Sequence, residues 1–306
     1  MDHISKKFYK SFYNRTNGFI PAKPFSQYMY PGDFFQIQNG EIIVLGNIFR
    51  NSIINVEDVV FDNGIQLNPA SWNFNEGVSK TYSGRDNGHN DIEGSFEYSK
   101  QLLTFDGFGS FYFKAETPES VKFANWSDFQ QELIIKMTQV MYSFREVYIV
   151  TETATAENWT LAIAGSDKAE LEIAKTSENF GLVDIFGHTD SKTIQARDIE
   201  VHLREDKKKP NFFKGKKLIV QPQKLETFIS QLITDRTQIA PWAATFYDYD
   251  FYHDTTFPPP VTQNAQASIL DMLQANQLNP NTALQYFSWT NTNLDDVEKL
   301  FANYGN

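Results

Sequence analysis

Cysteine is absent from the 306 residues, which removes disulfide frameworks, thiolate zinc sites, cysteine nucleophiles and palmitoyl anchors together. That composition suits a reducing compartment, and the expected location is the cytoplasm. Long apolar runs are missing too. None nears the roughly 18 residues of a spanning helix, and Met1 to Tyr13 carries charge with no apolar stretch before a cleavage site, so neither a transmembrane helix nor a signal peptide is expected. Positive charge is short: 27 Lys and Arg face 38 Asp and Glu, net −11, which argues against a general nucleic-acid binder because phosphate neutralisation needs a basic face. Catalytic signatures are also lacking. There is no Walker loop, Gly-x-Ser-x-Gly elbow, His-Glu-x-x-His or dinucleotide fingerprint, and the five histidines are scattered. A non-enzymatic protein without a cofactor is the expectation.

What the chain does have is aromatic and aliphatic mass. Hydrophobic residues make up 41%, with 27 Phe and 14 Tyr, enough to fold rather than stay disordered. Ile4, Phe8 and Phe12 recur at helical spacing among Lys6, Lys7 and Lys10, a short basic amphipathic helix closed by Gly18 and Pro21. Phe34 to Ile37 and Glu41 to Leu45 flank Gln38-Asn39-Gly40 and predict a hairpin. From Ile53 to Ala115 short β-prone runs are punctuated by Asn-Gly, Asn-Pro and Gly, with alternation at Phe96, Tyr98, Phe111 and Phe113. Ser127 and Gln130 have capping-box spacing ahead of Phe129, Leu133, Met137, Val140, Met141 and Phe144, a long helix. Val147 to Thr153 and Trp159 to Ala164 suggest a hairpin pair, followed by Glu170 to Ala174 and by strands near 180–187, 194–204 and 216–221. A second helix is expected at 223–235.

Beyond residue 236 the character changes. The aromatic, acidic stretch Phe246 to Phe257 runs into Pro258-Pro259-Pro260, which fits neither a helix interior nor a central strand. Helices are expected at about 264–276, after Asn279-Pro280, and from Asn293, where Asp295 and Asp296 suit the helix dipole. The division is therefore a β-rich body (1–236), a linker (237–263) and a helical tail (264–306). Residues 1–236 carry 26 basic and 31 acidic side chains, whereas 237–306 carry 1 and 7. Against this, Arg204 to Lys224 concentrates Arg204, Lys207, Lys208, Lys209, Lys214, Lys216, Lys217 and Lys224 around Pro210, Phe212 and Phe213. Such a segment suits an anionic membrane surface, at about 1 kcal/mol per Lys or Arg near the headgroups; a solvated loop is the plainer alternative.

Other clusters carry less. The loop from Arg85 to Glu93 offers Asp86, Asn90, Asp91 and Glu93 without the spacing of an EF-hand. His188, Asp190, Asp198 and His202 are more simply surface residues, and Asp248, Asp250, His253 and Asp254 have no partner motif that would mark acid–base chemistry.

In layout, residues 1–235 resemble the pore-forming domain of the gasdermin family. The residues carrying the resemblance are the amphipathic helix, Gly18-Phe-Ile-Pro21 and Val147-Tyr-Ile-Val-Thr-Glu152. It implies a tail that masks the basic surface, an activating protease that frees the body, self-association into an oligomer, and two hairpins, from 95–115 and 146–174, refolding into an anionic lipid membrane. On that reading Lys6, Lys7, Lys10, Lys207, Lys208, Lys209, Lys214, Lys216 and Lys217 contact headgroups, and Ile269, Leu273, Leu294, Val297, Leu300 and Phe301 form the repressor contact. The chain would move from cytoplasm to membrane after cleavage between about Phe246 and Gln263. The net negative body and the lack of an acylatable cysteine depart from the family pattern.

A second reading is a β-rich binding or assembly protein. Ala283 to Phe287 with Asn293 to Phe301 loosely resembles ubiquitin-associated-type helical modules, which would make the tail a partner-recruiting adaptor. Both readings share one expected fold: α+β, an antiparallel twisted sheet body with packed helices and a helical C-terminal tail.

Overall fold

The structure is a computed structural model and describes residues 2–90, 94–140, 146–176, 191–224, 226–227 and 280–302. It is α+β, built on antiparallel sheets. Helix α1 (Asp2–Arg15) leads to β1 (Ile20–Pro21), β2 (Asp33–Gln38) and β3 (Glu41–Asn47). The predicted hairpin is there: Gln38 pairs with Glu41 across Asn39 and Gly40, whose φ values of 52° and 77° are those a two-residue I′ turn requires. Next come β4 (Phe61–Gln66), β5 (Asn73–Glu76), β6 (Val78–Asn90), β7 (Gly94–Phe105), β8 (Phe111–Glu116), β9 (Glu119–Phe123) and α2 (Trp126–Val140). The remainder is β10 (Tyr148–Thr155), β11 (Asn158–Ala164), β12 (Glu170–Thr176), β13 (Lys192–Arg197), β14 (Ile199–Glu205), β15 (Phe212–Val220), α3 (Pro280–Tyr286), β16 (Phe287–Asn291) and α4 (Leu294–Lys299).

Among the described residues these strands form three sheets. The large one runs β1-β15-β10-β2-β3, with β16 added on β15, β9 on β10 and β4 on β9. The other two have the orders β14-β11-β8-β5 and β13-β12-β7-β6. These two orders match strand for strand, because each strand of one continues into its counterpart in the other. Only Gly77 separates β5 from β6, and only Asp198 separates β13 from β14. Both sit at left-handed φ, 63° and 55°, a conformation that turns an extended strand sharply within one residue. At Gly77 a Cβ would lie 2.5 Å from the Ser110 hydroxyl oxygen, so glycine is needed there. Residues 106–110 and 165–169 make the same crease for the middle strands, and backbone bonds such as Asp106 N–H to Gly77 and Gly165 N–H to Asp198 stitch it laterally. One four-stranded sheet, made of two hairpins, is thus doubled over on itself.

Apolar residues fix the layers. Leu103, Phe105, Tyr112, Ala162, Ala164, Leu171 and Ile173 are buried inside the doubled sheet. The alternate residues of the same strands, Phe111, Phe113, Trp159, Leu161 and Ile163, face a larger core shared with α1 and the large sheet. Ile4, Phe8 and Phe12 are all buried in that core, so the helical spacing at the N-terminus marks a docked helix. The far face of the large sheet is covered by Phe129, Leu133 and Met137 of α2.

Several expectations change. Val147 to Thr153 and Trp159 to Ala164 do not pair with each other: β10 bonds to β15, β2 and β9, and β11 to β14 and β8. Both strands are buried on both faces, so each is the centre of its own sheet, and two sheets meet at the turn between them. Ser127 does not cap α2. The helix begins one residue earlier, and the Ser127 hydroxyl donates to Asp128 at 3.0 Å, while Asn125 ties the entry to Val60 and Asp58. The tail helices at Pro280 and Asn293 are present, but the strand β16 between them was not expected. The helices at 264–276 and most of 223–235, the strand near 180–187, the linker 237–263, Met141 and Phe144 lie outside the described residues.

Candidate site: the seat of the C-terminal segment

Segment 280–302 packs onto the body through backbone, apolar and charged contacts. β16 extends the large sheet by pairing Asn291 to Phe287 with Lys216 to Val220 of β15. This continues the edge that β1 covers at Phe212 and Phe213. The Trp289 indole donates to the Gln130 carbonyl at 3.3 Å and meets the Trp126 ring edge-on at 5.7 Å. Ala283, Tyr286 and Phe287 bury themselves with Ile134 and Leu218.

The turn after β16 is pinned twice: Thr292 bonds to the Gly215 carbonyl through N–H and hydroxyl, and its own carbonyl accepts from Tyr13 at 2.9 Å. Asn293 then caps α4 in a reciprocal box with Asp296. Val297, Leu300 and Phe301 enter the main core, with the Phe301 ring 5.0 Å from Tyr9. Lys23 donates to the Leu300 carbonyl and sits 4.5 Å over the Phe301 ring. Gly40 lets the β2–β3 turn approach, since a Cβ there would lie 3.0 Å from the Leu300 oxygen.

At the centre is Asp296, fully buried. It accepts from Lys217 Nζ at 2.8 Å, Tyr148 OH at 2.9 Å and the Asn293 N–H at 2.9 Å. Burial alone would raise its pKa, but the Lys217, Asn293 and Tyr148 bonds together with the Lys217 charge outweigh it and hold the carboxyl below the usual aspartate range. Burial first, then the charges of Glu146 and Asp296, push the Tyr148 phenol far up, so it stays a donor shared between the two carboxylates. Lys299 joins Glu146 to the same group. On the rim Lys10 pairs with Glu298, whose pKa is lowered by the Lys10 bond and by the Lys10 and Lys6 charges.

The basic stretch does not form one surface. Lys216 pairs in register with Ile149 and Lys217 with Tyr148, so they occupy opposite faces of β15. Lys217 reaches Asp296, whereas Lys216 lies 5.7 Å from the Trp126 ring and donates to Asn291 at 2.6 Å; burial lowers its pKa. Lys214 pairs with Glu152 at 3.0 Å and lies 4.3 Å over Phe19. Lys208 meets Glu119, and Lys209 meets Glu205. Lys207 is exposed, and Lys7 pairs with Glu76. Three of the nine singled-out lysines, Lys10, Lys216 and Lys217, touch the C-terminal segment. Of the other set, Val297, Leu300 and Phe301 are buried and Leu294 is 36% exposed, while Ile269 and Leu273 lie outside the described residues, as do His188, Asp190, Asp248, Asp250, His253 and Asp254. Asp198 is the crease residue, and His202 lies on β14. Tyr148, Lys23, Glu146, Asn291 and Lys299 were not singled out from sequence; the readable signs of this site were the Asn293 start with Asp296 in the first turn, the apolar Val297, Leu300 and Phe301, and the lysines Lys10, Lys216 and Lys217.

No protein-family model and no curated relative matches the chain. Among solved structures it is similar to the cryo-EM structure of the gasdermin A3 membrane pore, with TM-score 0.30 and 10% identity over 71% of this chain and 90% of that one. It is also similar to a bacterial gasdermin from Bradyrhizobium tropiciagri, with TM-score 0.24 and 12% identity over 66% and 81%.

Proposed function

We propose that this chain is a membrane-permeabilising protein held closed by its C-terminal segment, opened by proteolysis in the 237–263 linker and self-associating on an anionic lipid surface. The observation that carries the reading is the doubled sheet. β6 has 13 residues and β7 has 12, above the ~9–11 of a membrane β-strand. Straightening at the crease would join them to β5 and β8 as continuous strands over 73–90 and 94–116. At about 3.3 Å per residue the β7 part alone reaches about 40 Å, more than a hydrocarbon core. Closure would come from the tail, which engages α1, β15 and the β2–β3 turn together. The free body would be a membrane-associated oligomer, with the singled-out lysines as headgroup contacts.

The test is dye release from anionic liposomes by chain carrying an inserted protease site after Pro260, before and after cutting. Cutting the folded chain is preferable to truncation, because Val297, Leu300 and Phe301 belong to the main core. Leakage only after cutting supports the proposal, and its loss on replacing the exposed Lys207 and Lys208 by Glu supports their role as headgroup contacts. No leakage from cut, folded protein refutes it.

One observation favours the binding or assembly reading. All six residues of β13 are exposed, and Ile194 is the one large apolar side chain among them. That is a polar sheet edge suited to a protein partner. In that reading Leu294, 36% exposed on α4, is the apolar side chain the tail offers a partner, while Val297, Leu300 and Phe301 are held in the body.

A further inference from the structure

Each of the four doubled strands crosses the crease through one left-handed residue: Gly77 at φ 63°, Gly109 at 75°, Lys168 at 64° and Asp198 at 55°. The two hairpins do so at different cost. Hairpin 73–116 crosses at glycines, which adopt that backbone without a Cβ clash. Hairpin 158–205 crosses at a lysine and an aspartate, whose Cβ crowds the following carbonyl, less severely for aspartate because its short polar side chain tolerates the conformation. Both are exposed, so burial does not select these residue types. Straightening a strand takes its crease residue to extended backbone. That change relieves strain at Lys168 and Asp198, whereas at Gly77 and Gly109 it places glycine inside a strand, which weakens it.

Burial is uneven in the same direction. The inner strands β8 and β11 both face the main core, and the outer strands differ. Every residue of β13 is exposed and none of β14 is buried. On the other side β5 buries Phe74, whose ring stacks on Phe8 at 6.3 Å and meets Phe113 at 5.5 Å, and Trp72 just before it is buried against Phe12. Backbone bonds at the crease do not offset this. Within the first hairpin Asp106 N–H donates to the Gly77 carbonyl at 2.9 Å, and within the second Gly165 N–H donates to the Asp198 carbonyl at 2.8 Å.

We propose that the crease is an asymmetric hinge: strain at Lys168 and Asp198 makes hairpin 158–205 the first to straighten, while Gly77, Gly109 and the Phe74 anchor hold hairpin 73–116 back. This rests on the reading that the doubled sheet straightens at all, and adds an order to it. Lysine and aspartate at the crease are then part of the opening device, and glycine in their place locks the second hairpin down.

Amide exchange of the uncut chain, resolved by peptide, tests the order without a membrane. In the unaltered protein β13, β14 and residues 165–169 should exchange faster than β5 and residues 106–110. Lys168→Gly and Asp198→Gly should each slow exchange across 192–205 roughly fivefold and leave β5 unchanged. Lys168→Ala keeps a Cβ in the left-handed region and should change it by less than about twofold, which separates strain from the lysine charge. Gly109→Ala has room, since the nearest atom to its Cβ is the Ile4 carbonyl oxygen at 3.8 Å, and should speed exchange of 106–116 roughly fivefold or more. Equal exchange of the two hairpins in the unaltered protein overturns the proposal. So does a Lys168→Gly variant that slows nothing, one that slows all protected amides alike, or a Lys168→Ala variant that matches it. A failed dye-release experiment with unequal hairpins would leave the hinge standing and remove the membrane reading; equal hairpins with dye release intact would do the reverse.

Discussion

Replacing Asp296 by Ala probes the seat of the segment at its most confined point. The carboxylate is fully buried and its partner Lys217 has a side chain only 13% exposed, so the variant leaves an ammonium largely shielded from water. Breaking a buried pair from one side costs about 3–5 kcal/mol. The residual exposure of Lys217 lets water reach it, which favours the lower end. Loss of the reciprocal cap belongs to the same carboxylate and is not added separately. An expected loss of about 3–4 kcal/mol corresponds to a fall in Tm of about 5–6 °C for a chain of this length. Thermal unfolding followed by tryptophan emission reads it well, because Trp289 on β16 meets Trp126 on α2, and amide exchange along β16 localises it. A companion variant, Lys217→Met with Asp296→Leu, removes both charges and should recover more than half of the loss. A cost for Asp296→Ala below about 1 kcal/mol, the range of an exposed pair, would refute the reasoning. The sign with pH also follows. With the folded pKa held below the unfolded one, this contribution is complete above the usual aspartate range near 4 and is lost as pH falls through the depressed folded value.

Phe301→Ala should cost about 3–5 kcal/mol, measured by urea unfolding, with protection lost first in α4. Gly40→Ala, at φ 77° and with a Cβ 3.0 Å from the Leu300 oxygen, should cost about 1–3 kcal/mol and raise exchange at Leu300 and Phe301 while leaving β6 and β7 unchanged. His202 is pushed below its ordinary pKa by burial and then by the Arg204 charge. The unfolded chain therefore binds a proton that the folded chain resists, and stability should fall as pH drops below about 6.5. A His202→Gln variant should show a flatter melting profile between pH 7 and 5; an unchanged slope would remove His202 as its source. Gly77→Ala should cost about 1–3 kcal/mol, seen as faster exchange at the crease, from left-handed strain together with the Ser110 contact.

Much of the local structure was legible. The Asn39-Gly40 turn, the spacing of Ile4, Phe8 and Phe12, the apolar stripe of α2 and the Asn293 cap are short-range patterns whose physics operates within a few residues. Pairing was not. Val147 to Thr153 and Trp159 to Ala164 look like two arms of a hairpin because two successive β-prone runs mark strands and say nothing about which strand lies beside each. Phe287 to Asn291 lay between two helical signals and gave only five residues to read. Gly77 and Asp198 look like ordinary turn residues, and only the matching strand orders make them the two ends of one crease.

The basic stretch shows the division most clearly. Composition determined that lysines crowd between Arg204 and Lys224, that no cysteine chemistry is open to this chain, and that enough aromatic mass exists to bury several layers. Tertiary structure decided what the lysines do. Once Phe212 to Val220 becomes a strand, its period of two sends Lys216 and Lys217 to opposite faces. The partners waiting there, Trp126 on one side and Asp296 on the other, come from segments distant in sequence. A charge cluster along the chain became a buried latch on one face and a half-buried cation over an indole on the other, because side-chain direction is set by the sheet and partners are set by packing.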